Sequence, residues 1–525
     1  MIILPIRKIL RWLLWLPSIA SDLLRHRAVF KSPDKTGEIE NIIFVLFDEF
    51  YFFKFDFLIA EYLGRTKGRT VVITSHFNRF AGIYSKYMGI ETIRLSRPNA
   101  KNIEEATHVL KTLECACFDS ESNFVNKRKM VNFHFDGIPF GKFIISDVLG
   151  RTRDSDYSKI FLDNSIRSVI INRLALSFNM RNFLIENKNV KRLFFNEKNF
   201  LPANVVAYNA MDRYQVFEWK PTQRRSEICL KSFTSENWFT HPFSLNKTPT
   251  ELELMFDGSS ETSVGEKIIR EKYTNNNWYN RDILIVSKET SLKRLLTRIK
   301  IQKPTGIVGI FPHIFWDATF SYGTNFFIDY KSLFQELFAL IPMHPELLFV
   351  VKFHPDYSFK NSQAKLSVNH DFQSELLNLE NQPNVVIFYP DEVVNMYDLL
   401  AQLDTIVTVR GTVGIEGAML GKNVSIFGTG RYSDYGFTHL YKSVEQFNDD
   451  LVIYKGKKAA PVDAAARAAL YWRELYDKTP IDLSKNLLFS PYGSSTSHPL
   501  CVNYVIKSWI GETSDAAQRI DEILK

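Results

Sequence analysis

Three turns in the second half of the chain carry residue types that bind a nucleotide phosphate. They are residues 311–319, which contain His313 and Asp317; residues 352–356, with the sequence Lys-Phe-His-Pro-Asp; and residues 410–416, with the sequence Arg-Gly-Thr-Val-Gly-Ile-Glu. Each turn follows an apolar run that predicts a buried strand. Glycine lets the backbone approach a ligand closely, and a helix start offers unbonded N–H groups. The third turn therefore predicts an anion site.

The side chains of the third turn have matching chemistry. Arg410 would add positive charge, Thr412 would supply a hydroxyl, and Glu416, one turn into the helix, would accept two hydrogen bonds from ribose hydroxyls. Glycine and threonine are also common in purely structural turns of this kind. Likewise, a buried and hydrogen-bonded ring is the commoner outcome for an isolated histidine such as His313 or His354.

A glycine-rich loop at residues 427–438 follows the next predicted strand. Its sequence is Phe-Gly-Thr-Gly-Arg-Tyr-Ser-Asp-Tyr-Gly-Phe-Thr, which combines three glycines with Arg431 and several aromatic side chains. This composition favours the wall of a ligand site over a plain turn. A purely structural loop is the alternative.

Alternating strand and helix patterns must position these turns. The predicted strands of the second half lie at 306–311, 347–353, 384–389, 405–409 and 423–427, with helices at 328–340, 394–403 and 412–420. In the first half, strands are predicted at 40–47 and 70–74, with a helix between them. This alternation predicts an α/β protein of two Rossmann-like domains facing a cleft, in which ligands bind beyond the carboxyl ends of the strands.

The predicted organisation has four segments. They are an amphipathic helix at 1–31, a Rossmann-like domain at 32–302, a second Rossmann-like domain at 303–480, and helices at 481–525 that pack back on the first domain. A length of 525 residues is compatible with two large domains of this kind.

Charge and cysteine content exclude several classes of protein. The formal charge is +7, but residues 1–31 hold six basic residues and one acidic residue, so the remaining 494 residues carry only +2. A nearly neutral body argues against a broad nucleic-acid surface. Four cysteines are too few for disulfide bonds to stabilise a chain of this length, which favours a reducing compartment.

Residues 2–27 predict a helix at a membrane surface. The longest uncharged stretch, from Trp12 to Ser21, has ten residues, against the roughly 20 needed to span a bilayer. An apolar stripe from Ile6 to Leu14 at helical spacing lies opposite Arg7, Lys8 and Arg11, which would meet anionic lipid. A helix docked on its own domain is the alternative.

The turns at 352–355 and 411–416 and the loop at 430–438, in this order, resemble the capsule polysaccharide biosynthesis family. That family includes enzymes similar to bacterial Kdo transferases and related surface-glycan glycosyltransferases. Its members share a Lys-x-His-Pro turn, a Gly-Thr/Ser-x-Gly-x-Glu helix start and a loop with glycine and tyrosine. Residues 311–317 resemble a Trp-Asp-Ala turn of some members, and residues 136–141, with Asp147 and Arg151, look like a first-domain motif.

The resemblance implies a GT-B architecture, with a nucleotide-sugar donor in the second domain and an acceptor facing the first. It implies that His354, Thr412 and Glu416 hold the donor's phosphate and ribose, within a donor-binding set completed by His313, Asp317, Lys352, Arg410, Gly411, Gly414 and Arg431. GT-B enzymes can act without a metal, and no Asp-x-Asp motif is present, so we expect no cofactor and no metal.

Three carboxylates are candidates for the base that deprotonates the acceptor if the reaction inverts configuration. They are Asp48 and Glu49, directly after the first strand, and Asp147. Each is equally typical of a helix cap or a surface charge, and Asp147 with Arg151 has the spacing of a helical ion pair.

The sequence therefore predicts a glycosyltransferase, peripheral on the cytoplasmic face of the inner membrane. It would move a sugar from a CMP- or UDP-linked donor to a lipid-linked or oligosaccharide acceptor that grows into a capsule or lipopolysaccharide, with no nucleic-acid partner. The alternatives are a glycerophosphotransferase that uses CDP-glycerol and a non-catalytic glycan-binding protein.

Overall fold

The computed structural model describes residues 37–45, 50–74, 85, 89–119, 121, 124–153, 155–224, 226–256, 262–274, 278, 303–355, 357, 376–390, 392, 394–491 and 502–525. The predicted membrane-surface helix at 2–27 and the candidate bases Asp48 and Glu49 lie outside these residues.

Seventeen strands are described in these segments. They are β1 Asn41–Val45, β2 Thr70–Thr74, β3 Thr92–Arg94, β4 Phe118–Asp119, β5 Phe124–Val125, β6 Arg192–Phe195, β7 Gln215–Pro221, β8 Glu227–Phe233, β9 Ile307–Ile310, β10 Leu348–Lys352, β11 Val385–Phe388, β12 Thr405–Thr408, β13 Asn423–Ile426, β14 His439–Leu440, β15 Ile481–Asp482, β16 Leu487–Pro491 and β17 Val502–Ile506.

Fifteen α-helices are described in the same segments. They are α1 Phe50–Thr66, α2 Ala100–Cys117, α3 Lys127–Val131, α4 Phe140–Thr152, α5 Lys159–Leu162, α6 Asn164–Glu186, α7 Ala203–Ala210, α8 Pro249–Leu254, α9 Thr262–Thr274, α10 Tyr330–Leu340, α11 Met396–Gln402, α12 Thr412–Met419, α13 Val444–Tyr454, α14 Ala464–Arg473 and α15 Asp515–Ile523. A 3₁₀ turn at Ile341–Met343 follows α10, and a π-helical turn at Glu474–Lys478 follows α14.

The first sheet has seven strands in the order β15-β8-β7-β6-β1-β2-β3. The five strands from β7 to β3 are parallel, whereas β8 pairs antiparallel with β7 and β15 pairs antiparallel with β8. All five residues of β1 and of β2 are buried, since helices cover both faces. Strand β6 is parallel to both of its neighbours, β1 and β7, so the residues that follow it lie at the carboxyl edge of the parallel part of this sheet.

The second sheet has six parallel strands in the order β11-β10-β9-β12-β13-β14. Strands β9 and β12 are neighbours although about 95 residues separate them, with Ile310 opposite Val407. The loops that follow these two strands therefore lie side by side. The predicted α/β fold class is confirmed, with one mainly parallel sheet and one fully parallel sheet.

Two boundaries differ from the predicted division of the chain. We call the part of the chain built around the seven-stranded sheet the first unit and the part built around the six-stranded sheet the second unit. Helix α9 was expected in the first unit, but its Ile269 lies in one apolar cluster with residues of α12 and α14 in the second unit. Residues 481–525 were expected as helices, but they form β15, the antiparallel pair β16–β17 and α15, packed against the first unit. Tertiary packing decides both, because neither segment buries its apolar face alone.

In the described part of the chain, no helix combines the length and the hydropathy needed to cross a bilayer.

Candidate functional site

The loops after β9 and β12 meet at the carboxyl edge of the second sheet. The backbone N–H of Arg410 donates a 3.0 Å hydrogen bond to Nε2 of His313, and the ring of His313 stacks on Tyr330 with centroids 5.0 Å apart. Two of the predicted turns are thus brought together by the pairing of β9 with β12.

His313 is held as a neutral ring. Burial, reinforced by the positive charge of Arg410, lowers its pKa to about 3. Because Nε2 accepts the N–H of Arg410, the proton of the neutral ring lies on Nδ1. The ring therefore offers one hydrogen-bond donor to a ligand at the sheet edge.

The guanidinium of Arg410 hydrogen bonds to three segments of the second unit. Its Nε donates to the carbonyl of Thr429 at 2.7 Å, its Nη1 donates to the hydroxyl of Tyr330 at 2.8 Å, and its Nη2 donates to Oδ1 of Asn325. The sequence predicted a guanidinium directed at the donor. The structure instead commits three of its five donors to the protein, so its main role here is to position the loops.

The glycine turn that starts α12 combines close packing with an open helix start. Gly411 is the N-cap residue, with extended backbone angles, and it contributes no side-chain cap to the first N–H groups of α12. The carbonyl of Gly411 accepts a 2.7 Å hydrogen bond from the hydroxyl of buried Tyr432. A Cβ on Gly414 would overlap that hydroxyl and lie 3.0 Å from Cζ of the ring. Gly414 is therefore needed for packing of the loop at 427–438 on α12. Thr412, the first residue of α12, is half-buried.

Glu416 does not face a ligand with free oxygens, contrary to the sequence prediction. Its side chain is 2% exposed; Nζ of Lys272 donates to its Oε1 at 2.6 Å and the hydroxyl of Tyr273 donates to its Oε2 at 2.6 Å. Both partners belong to α9, whose packing across α12 was not predicted. The carboxylate thus joins α9 to α12 through a hydrogen bond to each of its oxygens.

The remaining donor-site candidates lie around the same edge at different depths. Asp317, in the turn after β9, is half-buried, and its charge acts on the pKa of His313. His354, at the end of β10, is exposed, and its charge acts on the same ring. Lys352 is 3% exposed, and its ammonium donates to the carbonyl of Phe353 at 3.1 Å. Arg431 lies 6.0 Å from the ring of Phe243.

Asp147 lies in an ion-pair cluster on α4. Its carboxylate is 1% exposed, 2.7 Å from Nε of Arg151 and 3.1 Å from Nε of Arg173 on α6. The alternative of a helical ion pair is therefore the arrangement observed. Both guanidinium groups thus engage the carboxylate of Asp147 within the protein.

Loops of the two units meet in front of the sheet edge. Nζ of Lys127 lies 3.0 Å from Oδ2 of Asp329, and the N–H of Gly323 donates to the carbonyl of Phe239 at 2.7 Å. The rings of His241 and Tyr322 have centroids 4.5 Å apart. The carboxyl edge of the second sheet thus faces the first unit.

Three residues of this region were not predicted from the sequence. Asn325 and Tyr330 hold Arg410, and His241 packs on Tyr322 with Nδ1 accepting the N–H of Phe243 at 3.0 Å. Burial, together with the charges of Arg431 and Lys220, lowers the pKa of His241 well below its ordinary value. These positions belong to no motif, and their proximity depends on how the two units pack, so no sequence signal marks them.

No group of three or more histidine, cysteine, aspartate or glutamate side chains that could hold a metal ion occurs among the described residues.

Comparison with known proteins finds one family match, which falls mostly on the second unit. The family described as "Capsule polysaccharide biosynthesis protein" matches residues 267–463, from α9 to the start of α14. The match confirms, for this part of the chain, the resemblance predicted from the sequence. No curated protein matches the chain.

Several solved structures share parts of the fold. The beta Kdo 2,4 transferase KpsC of Thermosulfurimonas dismutans is 17% identical over 54% of this chain and 78% of its own, with a TM-score of 0.25. The UDP-GlcNAc 2-epimerase of Neisseria meningitidis is 11% identical over 83% of this chain and 96% of its own, at 0.27. A glycosyltransferase of Rickettsia africae is 10% identical over 84% and 94%, at 0.28.

Proposed function

We propose that this protein is a glycosyltransferase of surface polysaccharide biosynthesis. It transfers a sugar from a CMP- or UDP-linked donor to a growing capsule or lipopolysaccharide chain. The observation that supports this most directly is the joint placement of the open start of α12 and the neutral ring of His313, within the part of the chain that matches the capsule polysaccharide biosynthesis family.

The chemistry of the step matches this placement. The sugar passes through an oxocarbenium-like state while the nucleotide phosphate departs, so negative charge grows on the leaving group. The N–H groups at the start of α12 and the Nδ1–H of His313 are preorganised donors for that charge. Thr412 would add a hydroxyl and His354, at the adjacent strand end, a further donor. In this proposal no metal or other cofactor takes part.

The acceptor is proposed to bind on the side of the first unit. Asp48 and Glu49 stay the candidates for the base because they follow β1, whereas Asp147 is engaged by two arginines.

The acceptor is lipid-linked or an oligosaccharide, and we propose that residues 2–27 hold the enzyme on the anionic cytoplasmic face of the inner membrane. Deleting residues 1–27 would then reduce binding to anionic liposomes at least tenfold; undiminished binding would refute the membrane proposal.

A nucleotide panel tests the function. The purified full chain is heated with CMP, UDP and CDP-glycerol, since a bound nucleotide stabilises the fold by about 2.7 kcal/mol at a hundredfold excess over Kd. Release of nucleotide from matching sugar donors is then measured. His354→Ala and Thr412→Val should weaken nucleotide binding, while His108→Ala, an exposed histidine of α2, should leave it unchanged.

Three results would contradict the proposal. Turnover of CDP-glycerol without turnover of any sugar nucleotide would indicate a glycerophosphotransferase. Glycan binding without nucleotide binding would indicate a non-catalytic protein. Unchanged nucleotide affinity in both site variants would place the donor elsewhere.

A further inference from the structure

A cavity of about 250 Å3 lies between the two units, beside the site described above. The first unit contributes Arg128 and Asn132 near α3 and Lys142 of α4, and the second unit contributes the segment 323–328. The volume is slightly below the range of about 300–1,000 Å3 that is typical of small-molecule pockets. It is therefore large enough for part of a ligand, such as one sugar unit, that extends out of the cavity.

The lining has one sign of charge. Two basic side chains, Arg128 and Lys142, line the cavity, and none of the described lining residues is acidic. Among the described residues neither has an ion-pair partner within 4.0 Å. Asp329, which follows the lining segment directly, is already engaged by Lys127 at 3.0 Å and is 6% exposed. The ion pair with Lys127 therefore offsets the negative charge that Asp329 would otherwise place near the cavity.

Lys142 is held in place without a carboxylate. Its Nζ lies 4.4 Å from the centroid of the Phe239 ring, a cation–π contact that fixes the ammonium at the wall. Burial and the positive charge of Arg410 lower the pKa of Lys142. A half-buried cation that is repelled by a neighbouring cation gains from an anionic ligand, because the ligand restores the lost solvation and offsets the repulsion.

The cavity is coupled to the sheet-edge site through a rigid segment. Asn325 lines the cavity and accepts from Arg410. Its neighbour Thr324 exchanges two hydrogen bonds with Thr429: Thr324 N–H to Oγ1 at 2.7 Å, and Thr429 N–H to the carbonyl of Thr324 at 3.0 Å. A ligand in the cavity would therefore lie next to the loops that surround the start of α12.

We propose that this cavity binds an anionic group of the acceptor, a carboxylate or a phosphate, between Lys142 and Arg128. The acceptor assignment follows from position, since both cations belong to the first unit while the start of α12 belongs to the second. The assignment of this anion to the acceptor rests on the proposed glycosyltransferase function. The anion site itself can be tested without any turnover.

The test is direct binding of small probes to the full chain by titration calorimetry. The probes are inorganic phosphate and glucuronate, with glucose as the neutral comparison. Phosphate or glucuronate should bind and glucose should not; the tighter probe indicates whether the natural group is a phosphate or a sugar carboxylate. Lys142→Gln should weaken binding of that probe by about tenfold or more, the factor that a charged hydrogen bond carries.

Matched variants separate this site from general charge effects and from misfolding. Arg128→Gln, at an exposed position, should also weaken binding of the probe without changing the melting temperature of the protein. Lys142→Arg should retain binding of the probe. Lys129→Gln removes an equal charge from the same helix α3 but lies outside the cavity lining, so it should bind as the wild type does.

Equal binding by wild type, Lys142→Gln and Arg128→Gln would overturn the proposal, as would binding of glucose as tight as that of either anion. Displacement of the probe by CMP or UDP, together with an equal loss of nucleotide affinity in Lys142→Gln, would show that the donor occupies the cavity. That result would overturn the acceptor assignment. Probe binding that depends on Lys142, in a protein that turns over no sugar nucleotide, would support the anion site while the proposed function fails.

Discussion

Replacing Gly414 with alanine will destabilise the second unit, although alanine is the better helix former. Gly414 lies inside α12, where the exchange alone would stabilise the helix by about 1 kcal/mol. The new Cβ, however, would overlap the hydroxyl of Tyr432, which is buried and donates to the carbonyl of Gly411.

The magnitude follows from three contributions. Overpacking of a tight core site costs about 1–3 kcal/mol. Moving the hydroxyl away from the carbonyl of Gly411 costs roughly 1 kcal/mol more, because both groups lose a partner in a buried place. After subtracting the helix gain of about 1 kcal/mol, the net loss is about 1–3 kcal/mol. For a unit of this size, each kcal/mol lowers the melting temperature by about 2–4 °C.

A double-mutant cycle is the assay. Melting temperatures are measured for wild type, Gly414→Ala, Tyr432→Phe and the double variant. Phenylalanine removes the overlapping oxygen and leaves Cζ at 3.0 Å, a contact that a small shift relieves. Alanine at 414 should therefore cost at least about 1 kcal/mol less in the Tyr432→Phe background than in the wild type. Gly511→Ala, where an added Cβ meets nothing within 4 Å, is the control.

An equal cost of alanine in both backgrounds would show that the hydroxyl contact is not the reason for glycine at this position. A stabilised single variant would refute the packing argument altogether. A lowered nucleotide affinity of Gly414→Ala at a temperature where the protein is folded would further show that the loop at 427–438 shapes the start of α12.

Three further outcomes are expected. Glu416→Gln should lower the free energy of unfolding by about 3–5 kcal/mol because it leaves Lys272 buried without a counter-charge, and the pair Glu416→Gln with Lys272→Met should recover much of this in denaturant titrations. Asp147→Asn should similarly destabilise because it removes the counter-charge of half-buried Arg173, yet the folded variant should keep its rate of sugar transfer; a complete loss of turnover at unchanged fold would restore Asp147 as the base. Because the folded pKa of His313 is lowered to about 3, the free energy of unfolding should fall as pH drops below about 6.5, by at most about 2 kcal/mol at pH 5, and His313→Asn should show a shallower fall; identical pH profiles would refute the neutral ring.

The parallel sheets could be predicted from sequence because their strands are short, largely apolar runs. Thr405–Thr408 and Leu348–Lys352 are buried along their whole length, which a strand covered by helices on both faces requires. Since the loops after parallel strands share one edge, the pattern predicted that His313 and Arg410 lie at the same edge of the sheet. Their contact depends on the pairing of β9 with β12, which the pattern did not predict. The family motifs added the resemblance of the second unit to the capsule polysaccharide biosynthesis family.

The roles of individual side chains could not be predicted in the same way. Glu416 has the spacing of a ligand-binding residue, but α9 supplies Lys272 and Tyr273 to its two oxygens. Arg410 has the charge for a phosphate, but Asn325 and Tyr330 take up its donors. A side chain's partners come from segments far away in sequence, and local patterns carry no information about them.

By itself, the sequence determined the fold class, the edge of the sheet at which a ligand is expected and the family that the second unit resembles, since these depend on local periodicity and on motifs within single loops. Only the tertiary structure decided which charges are already paired, which glycine is required for packing, and that two cations of the first unit line a cavity beside the second. These depend on long-range packing, in which the burial of one group changes the hydrogen bonding and the pKa of another.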